Sequence, residues 1–181
     1  MRGLPFFKAV FSDRMIGAVA SSSRYTMDRV CEELGPGCAY VVEYGPGDGV
    51  STRAILAQLP AHGRMVAIER NPDFLPELGA IADPRLHIMQ GDVCSVIQRL
   101  SDLDLPRIDA VISSIPFSFL PSDSREFVVR RTFHALAPGG RFIVFQYSPL
   151  MLRYLKNYFP SVRVRFEPRN IPPNFIMIGE K

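Results

Sequence analysis

Three acids and three glycines carry the chemistry of this 181-residue chain. Glu43 follows the apolar pair Val41-Val42, and Tyr44-Gly45-Pro46-Gly47-Asp48-Gly49 comes directly after it. Glycines at alternate positions let a backbone turn sharply and let a ligand approach amides that a Cβ would block. Glu69 ends a second apolar run, Met65-Val66-Ala67-Ile68, and an acid there can accept both hydroxyls of a ribose. Asp92 follows Gly91 at the end of a third run and can accept from the exocyclic amine of adenine. The chemistry implied is a nucleoside-binding crevice. A dinucleotide fingerprint commonly reads G-x-G-x-x-G with the diphosphate on a helix N-terminus. Here the spacing is G-x-G-x-G with Asp48 inside, and an acid at that place repels a diphosphate but suits a ligand bearing an ammonium and a sulfonium.

These residues must be positioned by alternating strands and helices. Strands are expected over 39–43, 64–69, 86–90, 108–113 and 141–147. Helices are expected over 50–59, 72–79, 93–100, 123–136 and 149–157. Segments 161–168 and 174–179 read as a closing antiparallel hairpin. Repeated βα units imply an α/β fold, a mostly parallel twisted sheet with helices on both faces. Each acid then ends a successive strand, where ligands of such sheets bind. The run Ser113-Ser114-Ile115-Pro116-Phe117 ends the fourth strand beside them, and Tyr147 ends the fifth. Upstream, 23–34 reads as a helix, and 4–16 as a short amphipathic one with Phe7, Val10 and Phe11 on one stripe beside Lys8 and Arg14.

The length suits one domain with a full core, and 47% apolar content argues against disorder. No apolar stretch is long enough to span a bilayer, and the N-terminus lacks a secretory pattern. Cys31, Cys38 and Cys94 are odd in number and not spaced as a metal clip, so a reducing cytoplasmic location and no metal are expected. The net charge of +3 is unevenly spread, with residues 1–30 at +3, residues 141–181 at +5 and the middle at −5. Basic ends point to an anionic surface, a membrane or nucleic acid.

The chain resembles class I S-adenosylmethionine-dependent methyltransferases, and more narrowly the small bacterial phospholipid N-methyltransferases. The resemblance is carried by Ile16-Gly17-Ala18-Val19-Ala20-Ser21-Ser22-Ser23-Arg24, by Val42–Gly49, and by Ile68-Glu69-Arg70-Asn71-Pro72. Ile112–Pro116, Pro138-Gly139-Gly140 with Gln146-Tyr147, and Arg169-Asn170-Ile171-Pro172-Pro173 complete it. Asp48, Ser114 and Asn174 depart from the family pattern, which expects Thr, Gly and Ala.

This resemblance implies a Rossmann-like methyltransferase domain over 36–181, with 1–35 as a helical cover whose amphipathic helix either contacts the membrane or packs on the domain. It implies S-adenosylmethionine as cofactor, its methionine end lined by Glu43, Gly45, Pro46, Gly47 and Gly49. Glu69 would hold the ribose, Arg70 would pack near the adenine, Asp92 and Val93 would frame the base, and Ser113 would offer a carbonyl to the ammonium. Near the transferred methyl, Ser114, Pro116, Phe117 and Tyr147 are expected, the two aromatics as π-faces for a methylated ammonium. Tyr25, Arg24 and Arg169 are the candidates for the lipid headgroup, the arginines for its phosphate. The expected acceptor is phosphatidylethanolamine or another small amphiphile, methylated at the inner face of the membrane by a peripherally bound cytoplasmic enzyme. His134 is expected to be buried or partly buried on its helix. Two rivals remain: an RNA adenine N6-methyltransferase-like enzyme, and a binding module without catalysis.

Overall fold

A computed structural model describes residues 23–103 and 105–181. Ser23 caps helix α1, Arg24–Glu32, its side chain accepting from the Thr26 amide. Strand β1, Tyr40–Tyr44, leads through the glycine loop into α2, Val50–Leu56. Strand β2, Arg64–Glu69, is followed by a 3-10 turn, Pro72–Phe74, and α3, Leu75–Gly79. Strand β3, Leu86–Gln90, precedes α4, Val93–Val96, which passes into a 3-10 segment, Ile97–Asp102. Strand β4, Ala110–Ser113, is followed by a 3-10 turn, Phe117–Phe119, and α5, Ser122–Ala135. Strand β5, Arg141–Gln146, leads through the turn Pro149–Met151 into α6, Leu152–Tyr158. Strands β6, Ser161–Glu167, and β7, Asn174–Glu180, close the chain.

The order in the sheet is β3-β2-β1-β4-β5-β7-β6. The first five strands pair in parallel; β7 pairs antiparallel with both β5 and β6. The chain reverses its direction of progress between β1 and β4, so a crevice opens there beyond the carboxyl ends of the strands. The central strands are apolar throughout because both faces are covered. Val41, Met65, Ile112 and Ile143 pack with Met27, Val30 and Ile55 of α1 and α2. Val42, Val66, Val111 and Phe142 pack with Val93, Val128, Val129 and Leu155 of α4, α5 and α6. The fold is the expected one, a Rossmann-like parallel sheet with a closing antiparallel pair.

The helix expected over 50–59 ends at Leu56, and three others are interrupted. Segments 72–79, 93–100 and 149–157 each divide into a 3-10 turn and a short α-helix. Pro72 and Pro149 begin two of the turns, where a missing N–H costs nothing. In the other, Arg99 leaves helical geometry. The helix read over 4–16 lies outside the described residues.

Candidate active site

The glycine loop joins the buried end of β1 to α2. Gly45, Gly47 and Gly49 all have positive φ, at 72°, 56° and 79°. A Cβ on Gly45 would also sit 3.1 Å from Ile115 Cγ1, whereas one on Gly47 would meet nothing within 4 Å. The loop is thus pinned at Gly45 and open in front of Gly47.

Glu43 is 1% exposed and faces α2. Ser51 Oγ donates to its Oε1, and Thr52 Oγ1 donates to its Oε2 at 2.6 Å. Burial pushes the Glu43 carboxyl up to about 7 against the opposing pull of these two hydroxyls, and the charges of Glu69 and Asp48 push it further up. Glu69 accepts from the Gly47 amide at 3.0 Å and from the Asn71 amide at 2.7 Å. Its carboxylate is therefore a structural brace for the loop as well as a candidate ligand group. Asp92 caps α4 by accepting from the Cys94 amide at 2.8 Å, and Arg70 lies 3.4 Å from its other oxygen. Val93 is buried beneath it. The structure thus brings Glu43, Gly45, Pro46, Gly47, Gly49, Glu69, Arg70, Asp92 and Val93 to the carboxyl edge of β1, β2 and β3.

Ser113 is fully buried at the end of β4. Ser114 Oγ donates to the Gly45 carbonyl, tying the loop after β4 to the glycine loop. Pro116 precedes the 3-10 turn Phe117–Phe119. One expectation fails here: Phe117 is fully buried and packs in the core with Val128 and Met151, so its ring presents no open face. Phe119, two residues on, is 42% exposed instead, and Tyr147 is 45% exposed. A 3-10 turn rotates successive side chains by about a third of a turn. This carries residue 117 inward and residue 119 outward, which spacing could not foretell.

Arg169 is not a free cation. Its Nε and Nη2 reach the two Glu167 oxygens at 2.7 Å each, and its Cζ lies 4.2 Å from the Tyr25 ring centroid. Arg24 lies 5.5 Å from the same ring. Asn170 explains why these residues meet. Its buried side chain accepts from the Ser23 amide at 2.8 Å and from Thr26 Oγ1 at 3.0 Å, and donates to the Pro172 carbonyl. The Asn-x-Pro-Pro segment therefore anchors the start of α1 to the β6–β7 turn.

His62, His87 and His134 are all exposed, and none lies at the carboxyl edge; the burial expected of His134 is not observed. Two shallow concavities, around Tyr40 and Arg64 and around Arg85 and Leu86, lie by the amino-terminal ends of the strands and contain none of the acids or glycines above. Among the described residues no group of three His, Cys, Asp or Glu side chains could hold a metal ion. Sequence reasoning missed Ser51 and Thr52. Hydroxyls in the first turn after a glycine loop were the available signal.

These residues fit S-adenosylmethionine on their own chemistry. Burial, with a smaller push from Glu69 and Asp48, holds the Glu43 carboxyl up to about 7, and a cationic ligand beside it favours the ionised form. The backbone in front of Gly47 is open to it.

Residues 41–140 match the family described as Methyltransferase domain. The ornithine lipid N-methyltransferase of Singulisphaera acidiphila is 32% identical over 136 residues, which cover 74% of this chain and 71% of that protein. The ribosomal RNA small subunit methyltransferase H of Aromatoleum aromaticum is 35% identical over 83 residues, 46% of this chain but only 26% of that protein. The Burkholderia thailandensis 1,6-didemethyltoxoflavin-N1-methyltransferase, solved with its substrate and S-adenosylhomocysteine, superposes with a TM-score of 0.72 at 18% identity, covering 97% of this chain and 85% of that one. With the family match spanning more than half its length, the chain belongs to the class I S-adenosylmethionine-dependent methyltransferases.

Proposed function

We propose that this methyltransferase acts on the primary amine of phosphatidylethanolamine or a related lipid headgroup, from the inner face of the membrane. The observation that carries the reading is the match along 74% of the chain to an enzyme that methylates an amino lipid. The carboxyl edge supports it. Tyr147 and Phe119 are exposed large apolar side chains in the loops after β5 and β4, and Ile171, in the β6–β7 turn, is 88% exposed. Scattered apolar residues are ordinary on a surface, but these three all lie on the carboxyl-end side of the sheet, in the loops after β4, β5 and β6. No helix among the described residues is long and apolar enough to cross a membrane, so the proposed contact is peripheral.

S-adenosylmethionine supplies a methyl group already activated by its sulfonium. The protein's task is alignment, which can supply about 7–11 kcal/mol of the barrier. In the proposed assignment Glu43, Gly45, Pro46, Gly47, Gly49 and the Ser113 carbonyl line the methionine end. Glu69 accepts from the ribose, and Arg70, Asp92 and Val93 frame the adenine. Ser114 holds the loop after β4 against the glycine loop, so Pro116 keeps a constant position beside the acceptor. Tyr147 offers its ring to an ammonium that gains methyl groups, a contact worth about 0.5–2 kcal/mol. The acceptor nitrogen must shed a proton before it attacks. The histidines lie away from the crevice, so none of them takes that proton.

Ser114 also weighs against an RNA adenine reading, despite the 83-residue match to a ribosomal RNA methyltransferase. Its hydroxyl is spent on the Gly45 carbonyl and cannot reproduce the paired donor and acceptor of a carboxamide that grips a base. The test is methyl transfer from labelled S-adenosylmethionine to phosphatidylethanolamine vesicles and, in parallel, to RNA. Labelled lipid is expected; labelled RNA without labelled lipid would reverse the assignment.

A further inference from the structure

Two arginines converge on one phenol beside the crevice, and among the described residues no acid balances them. Arg153 Nη2 lies 2.6 Å and Arg125 Nη1 3.3 Å from Tyr154 Oη, and Ser122 Oγ lies 3.0 Å from the same oxygen. Among the described residues neither guanidinium has a carboxylate within 4.0 Å, whereas Arg85, Arg141, Arg163 and Arg169 each face one. Arg125 is also fixed in place, donating from Nε to the Phe117 carbonyl at 2.8 Å and from Nη2 to the Ser118 carbonyl at 3.1 Å. Arg153 is exposed and lies over the Tyr154 ring, 4.6 Å from its centroid. The Tyr154 phenol is held down to about 8, first by Ser122 and then by the two arginines.

The place of this cluster gives it meaning. Arg125 grips the 3-10 turn that continues the Ser114–Pro116 segment after β4, and Arg153 follows the turn that continues Tyr147 and Ser148 after β5. The two guanidiniums thus join the loops at the acceptor side of the crevice. Two like charges held together repel, and a tetrahedral oxyanion between them would relieve that repulsion through charge-assisted hydrogen bonds. Arg169 is a poorer candidate, because Glu167 already fills both arms of its fork.

We propose that Arg125, Arg153 and Tyr154 form an oxyanion subsite that holds the phosphate of the acceptor lipid while its amine faces the methyl donor. This rests on the lipid reading above for the identity of the acceptor, but the subsite can be tested without it. The tyrosinate absorbance of the protein is titrated through the region of about 8 with and without inorganic phosphate, and Tyr154→Phe identifies the phenol responsible. Bound phosphate neutralises the arginines, so the Tyr154 midpoint is expected to rise, and Arg153→Gln to lose most of that rise. An unmoved midpoint, or an equal rise in Arg153→Gln, overturns the subsite. Arg153 is the residue of choice because Arg125 also supports a turn and its loss could disturb folding.

A second arm uses phosphatidylethanolamine in mixed micelles against a long-chain amine that lacks phosphate. Arg153→Gln is expected to raise the lipid KM about tenfold, as loss of one charge-assisted hydrogen bond predicts, with kcat nearly kept and the KM of the plain amine unchanged. An equal rise for both amphiphiles would mean general attraction to the micelle and would overturn the proposal. A phosphate-dependent midpoint with no change in lipid KM would overturn the assignment to the lipid. Should the enzyme methylate no lipid at all, the titration alone decides the subsite, and the failure belongs to the acceptor assignment.

Discussion

Replacing Glu43 with Gln separates charge from shape at the centre of the crevice. The carboxyl rises from 4.5 to about 7, mainly through burial, with Glu69 and Asp48 adding to the rise. At 1.36 kcal/mol for each pH unit, its ionised form carries a penalty of about 3 kcal/mol. A cation bound nearby favours the ionised form and expels the proton, so affinity for S-adenosylmethionine should rise with pH. Near pH 6 the free enzyme is protonated at Glu43 by about ten to one, and near pH 8 by about one to ten, so affinity changes about tenfold across that window. Calorimetric titration of wild type and Glu43→Gln at several pH values measures this directly. The ligand's own ammonium titrates alike in both experiments, and the difference belongs to Glu43. Stability follows with its own sign. The folded chain binds the proton more tightly than the unfolded one, so the contribution of Glu43 is fully present below about 4.5 and is lost as pH rises through about 7. Relative to wild type, Glu43→Gln should therefore gain about 2–3 kcal/mol in urea unfolding between mildly acidic and mildly alkaline pH. Equal pH slopes of affinity in the two proteins would refute the argument, as would a wild type whose affinity ignores pH.

Glu69→Ala removes the acceptor of the Gly47 and Asn71 amides, so it should cost about 3 kcal/mol in urea unfolding besides weakening cofactor binding. An unchanged urea midpoint would show that the glycine loop stands without this brace. Gly47→Ala meets no neighbour but must hold φ near 56°, at a cost of about 1–2 kcal/mol, and should lose more in cofactor affinity than in stability. Gly45→Ala adds contact with Ile115 to a similar backbone strain and should be the less stable of the two by thermal melting.

The glycine loop and the acids at strand ends were legible because they depend on local rules. A strand buried on both faces must be apolar, as Val41-Val42 and Met65–Ile68 are, and a polar residue at its end marks where the cover stops. The positive φ values of Gly45, Gly47 and Gly49 follow from residue type in the same way. Phe117 and Phe119 were not separable, since an aromatic in a turn has no periodicity to say which way it faces. Arg169 read as a phosphate ligand because Glu167, only two residues away on the chain, becomes its partner only when β6 ends and the backbone turns.

From sequence alone came the alternation of strands and helices, the family, and the place of the acids and glycines at the strand ends, because each is written in neighbouring residues or in one repeating period. Long-range pairing determined the rest. Asn170 meets Ser23 and Thr26 across more than 140 residues, and Arg125 meets Tyr154 across 29. No local rule encodes such meetings. They arise when helices from both ends of the chain pack on one sheet, and they decide which charges are already satisfied and which are left to greet a substrate.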